Sequence, residues 1–322
     1  MSTNTVRYCT YFNVNYLLKG LALITSLMKH DHDAKIDVLC MDHETKKIID
    51  NMQISGVTTH SLADFEDKEL LKAKKTRSLV EYYWTCSPSL PLYIFRLYPK
   101  TKIVFYLDAD LYFYSSPNTM IKEMGSSSIF VVEHRYPKEQ RYINDISGRF
   151  NVAVNGFRRD KEGIECLKYW RGQCLDWCYH KYEKGRMGDQ LYLNEWPKLY
   201  KNIVISDNIG VDAAPWNILR YNVSQKQGIV QINKSSLVAY HFHQLEYFSP
   251  YYTNYADGYQ FSRATTKLIY KPYIRALTEQ YNSIKKYEPD FKLPQPPPLS
   301  VRIKKIIDRV IRSATSKLTS KQ

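Results

Sequence analysis

Two aspartates one residue apart close a continuous apolar run in the segment Ile103-Val-Phe-Tyr-Leu-Asp-Ala-Asp-Leu-Tyr-Phe. The triplet Asp-x-Asp carries little weight alone, since Asp31-His-Asp33 repeats it. Context separates the two. Ile103–Leu107 reads as a central strand covered on both faces, and ligands of open α/β sheets collect where such strands end. Asp108 and Asp110 at that point repel each other unless a cation or protons compensate. A hard divalent cation, Mn²⁺ or Mg²⁺, bridging carboxylates to a diphosphate meets the need. Asp31 and Asp33 follow no such strand and read as solvated.

His241 and His243 end another apolar run, Leu237-Val-Ala-Tyr. Their i, i+2 spacing puts both side chains on one face of a strand. A lone histidine there is ordinarily a hydrogen-bonded core residue; the company of Asp108 and Asp110 favours a ligand role. Asp189-Gln190 follows Lys184-Gly-Arg-Met-Gly188 and precedes a helical run, so Asp189 suits a helix N-cap as well as a cleft. The six cysteines show no recurring CxxC or Cys/His pair, so they read as buried thiols rather than a zinc site.

The elements needed to position these groups are legible. Val6–Tyr11, Ile36–Cys40, Ile103–Leu107, Ile129–Glu133 and Val152–Phe157 read as strands. Tyr16–Lys29, Glu44–Asn51, Leu79–Phe95, Lys161–Glu183, Gly188–Trp196 and Lys267–Lys286 read as helices. Strands alternating with helices from the start predict an α/β fold with a largely parallel sheet. A Pro-rich linker, 294–298, precedes a basic segment, 299–322, with seven Lys/Arg against one Asp. Apolar residues recur at helical spacing over Val301–Leu318, as in a basic amphipathic helix.

The 322 residues, 44% hydrophobic and with 28 Tyr, 12 Phe and 5 Trp, exclude a chain disordered throughout. No apolar stretch reaches the ~20 residues of a membrane span. With no apolar leader visible, the expected location is cytoplasmic, peripheral on the inner membrane face if the tail binds anionic lipid. The net charge of +14 suits phosphate-bearing ligands, nucleic acid or an anionic surface without choosing among them.

Over roughly residues 5–245 the chain resembles the nucleotide-sugar glycosyltransferases of GT-A fold, especially the family 8-like retaining enzymes. Five features match in order. Tyr8-Cys-Thr-Tyr-Phe-Asn with Leu21-Ala-Leu-Ile-Thr-Ser-Leu resembles the opening strand and helix whose loop holds the nucleoside, which implies Thr10 and Tyr11 as donor contacts. Tyr106-Leu-Asp-Ala-Asp-Leu is similar to the metal-binding motif. Phe150-Asn-Val-Ala-Val-Asn-Gly-Phe resembles the strand bordering the sugar, implying Asn151, Asn155 and Gly156 as contacts. Gly188-Asp-Gln190 resembles the pair beside the reacting anomeric carbon, implying catalytic roles for Asp189 and Gln190. Pro215-Trp-Asn217 and His241-Phe-His-Gln244 resemble the last substrate loop, with Trp216 and Asn217 toward the donor, and the histidine completing the Asp108, Asp110, His241 metal set.

The resemblance implies a GT-A domain over 1–265, a helical extension over 266–293, the linker and the tail. It also implies metal-dependent sugar transfer from a nucleotide-diphosphate donor to a glycan or lipid-linked acceptor hydroxyl, with retention, in surface polysaccharide or glycolipid synthesis. Nucleic acid is not an expected partner. Two departures stand out. Gln244 replaces the glycine of the family's His-x-x-Gly, and the Lys-Pro-Trp that commonly follows is absent, so another cation must meet the diphosphate. Lys74 and Arg77 are candidates. Among rival classes, a haloacid-dehalogenase-type phosphatase normally has Thr or Val after the second Asp, where Leu111 stands. A sugar nucleotidyltransferase needs an early Gly-rich loop, and no glycine precedes Gly20. A basic nucleic-acid-binding module leaves the paired aspartates unexplained.

Overall fold

The computed structural model describes residues 5–298 and 300–301; the tail helix expected to run to Leu318 lies outside them beyond Val301. Eight strands organise the first two thirds: β1 (Val6–Phe12), β2 (Ile36–Cys40), β3 (Val57–Ser61), β4 (Ile103–Leu107), β5 (Leu111–Phe113), β6 (Ile129–Glu133), β7 (Phe150–Arg158) and β8 (Ile203–Ile205). All but β5 join one sheet in the order β3-β2-β1-β4-β7-β6-β8. The first four run parallel; β7 is antiparallel to both neighbours, and β8 parallel to β6. The expected largely parallel α/β architecture is therefore present, with β7 as the reversed strand.

β4 is fully buried along its length because layers cover both faces. On one side the helix Leu17–His30 packs Leu21, Ile24 and Leu27 against Phe105 and Leu107. On the other, Tyr82, Ile94, Leu167, Trp170 and Trp196 enclose Val104 and Tyr106. Trp170 and Trp196 meet edge to face at 5.3 Å, both without exposure, a contact worth about 0.5–1.5 kcal/mol beyond burial.

Beyond β8 come β9 (Val223–Lys226), β10 (Ile229–Ile232) and β11 (Ser235–Ser236), then β12 (Ala239–His241), which pairs antiparallel with β5. β13 (Glu246–Ser249) and β14 (Tyr252–Asn254) form a final hairpin. The C-terminal helix is longer than expected, running from Arg263 through a π-helical turn at Thr266–Tyr270 to Tyr287. It lies on the main core rather than apart from it. Gln280 donates to Thr25 at 3.2 Å, and Tyr273 stacks on Phe242 at 3.6 Å, next to His241.

Two expected helices are cut short. Lys161–Asp176 ends where Trp177 turns extended, its carbonyl held by the Tyr192 hydroxyl at 2.7 Å. Lys184, Gly185 and Gly188 then take positive φ, which a helix does not permit. The run expected as a helix over Gly188–Trp196 is a 3-10 turn, Leu191–Glu195, followed by one helical turn, Trp196–Leu199. This irregular path carries Asp189 back to the end of β4.

Candidate active site

The site is built where β4 stops. After Leu107 the chain turns at Asp108-Ala-Asp110 and re-enters as β5, whose Leu111 pairs with His241 of β12. Three backbone bonds lock the crossing. Asp108 N–H donates to Ala153 O at 2.9 Å, Phe242 N–H to Asp110 O at 2.9 Å, and His241 N–H to Ala213 O at 2.8 Å. Asp108, Asp110 and His241 thereby bring one ligand atom each within 4.8 Å of one another, and among the described residues this is the one such group of His, Cys, Asp or Glu.

His241 stands between two carboxylates. Its Nε2 is 3.1 Å from Oδ1 of Asp110, and its Nδ1 is 3.5 Å from Oδ1 of Asp212 and 3.3 Å from the Asn151 amide. Burial would lower its pKa, but Asp110 and Asp212 override this and raise it well above the ordinary value. Burial would raise Asp110, yet His241 and Lys19 hold it well below the usual range. Asp108 goes the other way, to about 6, through burial and the nearby Asp110, partly offset by His241. Its Oδ1 accepts from the Tyr106 hydroxyl at 2.8 Å. Two mutually repelling carboxylates and one imidazole within reach of one another suit a divalent cation. His243 stays outside the group, its ring 5.8 Å from that of His241 and 5.5 Å from Trp216. β12 ends at His241, so the i, i+2 alternation expected to unite the histidines is lost.

Asp189 is buried beside this group. Its pKa rises to about 7 through burial and the charge of Asp108, against a hydrogen bond from Ser87. Its carbonyl accepts from Trp170 Nε1 at 2.8 Å. The N-cap alternative fails: Gln190 occupies the cap position of the 3-10 turn, without a capping side-chain bond. Tyr11 reaches the same pocket of charge, its hydroxyl 3.1 Å from Ser87 Oγ and its ring 5.8 Å from Tyr106. Thr10 is buried with its hydroxyl unpartnered.

Other expected site residues are spent on structure. Gln190 accepts from Val152 N–H at 3.3 Å and donates to Ser147 O at 2.5 Å, so both ends of its amide tie β7 to the loop before it. Asn217 accepts from Ala214 N–H at 3.0 Å and donates to His134 O at 2.9 Å. Gly156 lies in mid-sheet, where a Cβ would come within 2.6 Å of the Phe105 ring; this close approach explains the glycine. Asn155 is fully buried and donates to Val152 O at 2.7 Å. Asn151 and Trp216, by contrast, touch His241 directly, the Trp216 ring at 5.3 Å.

Lys74 and Arg77 are also committed elsewhere. Lys74 pairs with Glu66 at 2.6 Å, and Arg77 donates to the carbonyls of Leu175 and Asp176. The cation near the acidic group is Lys19, on the helix after β1. Burial lowers its pKa while Asp110 and Glu246 raise it, and its Nζ sits 4.4 Å from the Tyr16 ring centre. Tyr16, Lys19 and Gln244 line a cavity of about 1110 Å³. Asp212, Ser87 and Lys19 are the residues sequence reasoning missed. No local spacing marks them, since each becomes relevant through a distant pairing.

The seven-stranded sheet with an acidic Asp-x-Asp turn at the end of its central strand defines a GT-A glycosyltransferase domain. Residues 9–158 match the model of glycosyl transferase family 8. The chain is 32% identical over 291 residues to YfnD of Bacillus subtilis (strain 168), an uncharacterised protein, covering 89% of this chain and 94% of that one. It is likewise 32% identical over 245 residues to YfnF of the same organism, 74% of this chain and 81% of that one. In fold it is similar to the galactosyltransferase LgtC solved with donor and acceptor sugar analogues, with a TM-score of 0.51, 13% identity, and coverage of 86% of this chain and 99% of that one. The chain belongs to glycosyl transferase family 8 and is a nucleotide-sugar glycosyltransferase. Among the described residues no helix is long and apolar enough to cross a membrane.

Proposed function

We propose that the protein transfers a sugar from a nucleoside-diphosphate donor to an acceptor hydroxyl at the site formed by Asp108, Asp110 and His241. The observation that carries this reading is the convergence of those three side chains at the end of β4. These three residues would hold Mn²⁺ or Mg²⁺, which when bound would supply Lewis acidity toward the departing diphosphate. Asp212 and Asn151 orient the His241 ring so that Nε2 faces the site. Lys19 supplies the positive charge for which the absent Lys-Pro-Trp leaves a need. Tyr11 and Thr10 border the nucleoside, and Trp216 closes the site against His241.

Asp189 is the residue placed to meet positive charge on the sugar. Developing positive charge at an anomeric carbon is met by its ionised form, which a pKa raised by burial to about 7 leaves substantially populated near neutral pH. Ser87 holds it in place, and Gln190 fixes the loop that delivers it. Retention of configuration, the tail's association with the inner membrane face and a role in surface glycan or glycolipid assembly belong to the same proposal, the second resting on the charge of 299–322.

The test is release of nucleoside diphosphate from a panel of nucleotide sugars with Mn²⁺ present. Wild type is expected to turn over at least one donor, and Asp110→Asn to lose ~10²-fold or more of that rate. Equal rates in both proteins refute the assignment.

A further inference from the structure

A second cavity, of about 540 Å³, is lined by Arg135, Arg141, Arg149 and Arg220, with Tyr136 and Tyr221 as aromatic walls. Its size falls within the ~300–1,000 Å³ of small-molecule sites. Four guanidinium groups face two carboxylates, Glu133 and Asp207, and Glu133 is already paired with Arg149. The remaining positive charge is organised. Arg135 is held by the carbonyls of Val211, Ser206 and Asn208, and Arg220 by those of Arg135 and Tyr136. Each keeps N–H donors beyond those bonds, since a guanidinium offers five. Arg141 is exposed and has no side-chain partner among the described residues.

The cavity is coupled to the active site through rings and backbone. Tyr136 stacks on His134 at 4.7 Å and lies 6.4 Å from Trp216, whose ring contacts His241. The 3-10 helix Lys138–Asp145, which carries Arg141 and Asn144, is tied to the segment after Asp189, because Asn194 bridges Asn144 O and Arg149 N–H. A sugar seated on Tyr136 would thus lie next to the buried Trp216 ring that contacts His241.

Resting on the transferase reading, we infer that this arginine-lined cavity is an acceptor subsite for an anionic sugar, one bearing a phosphate or a carboxylate. Guanidinium groups pair with both oxyanions through two parallel N–H···O bonds, and the tyrosines offer flat faces to a sugar ring. A neutral acceptor would leave the cluster uncompensated.

The test is a saturation-transfer NMR titration in metal-free buffer with glucose 6-phosphate, methyl β-glucuronide and neutral methyl β-glucoside, on wild type, Arg141→Gln and Asp110→Ala. At least one charged sugar is expected to bind about tenfold more tightly than the neutral one, and Arg141→Gln to remove most of that preference. Asp110→Ala should retain it, because the subsite is separate from the metal group. Whichever charged sugar binds better identifies the anion. No preference for charge, or a preference unchanged in Arg141→Gln, overturns the inference. Failure of the transferase reading would show elsewhere, as loss of nucleotide-sugar turnover, since this titration contains no donor.

Discussion

His241 Nδ1 lies 3.5 Å from Oδ1 of Asp212, a carboxylate with no solvent exposure and no hydrogen bond of ordinary geometry to either oxygen. A buried acid without full satisfaction is costly, and its position behind the imidazole of the proposed metal group supplies the reason. Carboxylate–histidine–metal chains fix the ring tautomer and make the ligand nitrogen more basic.

Replacing Asp212 by Asn is therefore expected to weaken Mn²⁺ binding about 10–100-fold while preserving the fold. Asp212 has φ +58, a conformation that Asn accepts more readily than most residues. Electron paramagnetic titration of free Mn²⁺ reads the change directly; an unaltered affinity would remove Asp212 from the site.

Asp189 links stability to pH. Its folded-state pKa of about 7, raised by burial from an ordinary 3.8, means that the folded chain binds this proton more tightly than the unfolded chain. Stability from this group is thus greatest below pH 4 and declines as pH rises from about 4 to 7. Asp189→Asn removes that decline, gaining on the order of 1–4 kcal/mol over wild type at pH 8 relative to pH 4. Its transfer rate should fall sharply. Urea unfolding of metal-free protein at both pH values measures the difference, and identical pH profiles for the two proteins would contradict it.

Lys19 places positive charge on Asp110 alongside the neighbouring histidines. Lys19→Met is expected to raise the dissociation constant for nucleoside diphosphate about tenfold, with a smaller effect on the nucleoside alone. Calorimetric titration with both ligands separates the two. Equal losses for both would assign Lys19 to packing.

Gln244 occupies φ +59, left-handed backbone that glycine adopts without cost. The family pattern has glycine at this position, and Gln244→Gly should stabilise the exposed turn by up to about 1 kcal/mol. A modest rise in Tm is expected. A fall would mean that the Gln244 side chain makes contacts outweighing the backbone strain.

The residues that close a buried strand were readable from the sequence. β4 and β6 announced themselves as apolar runs, and Asp108 and Asp110 drew meaning from the end of β4. His241 followed from a second apolar run. β3 was not legible, because Val57-Thr-Thr-His-Ser is polar and only half-buried. Asp212 was hidden for a different reason: it reaches His241 through a bridge between Ala213 and Tyr240, a pairing no local pattern encodes. Gln190 shows the converse. Its neighbourhood matched the family, yet its amide is consumed by Val152 and Ser147, a matter of loop geometry rather than residue type.

The most direct measurement is a thermal-shift panel of UDP-, GDP-, dTDP- and CMP-sugars, with and without Mn²⁺, on wild type and Asp110→Ala. A donor at 100 times its dissociation constant adds about 2.7 kcal/mol of stability, enough to move the transition visibly. One nucleotide class should stabilise wild type only when Mn²⁺ is present, and the variant should show no such shift. A shift that persists in Asp110→Ala, or none with any donor at saturating concentration, would contradict a donor site built on Asp108, Asp110 and His241.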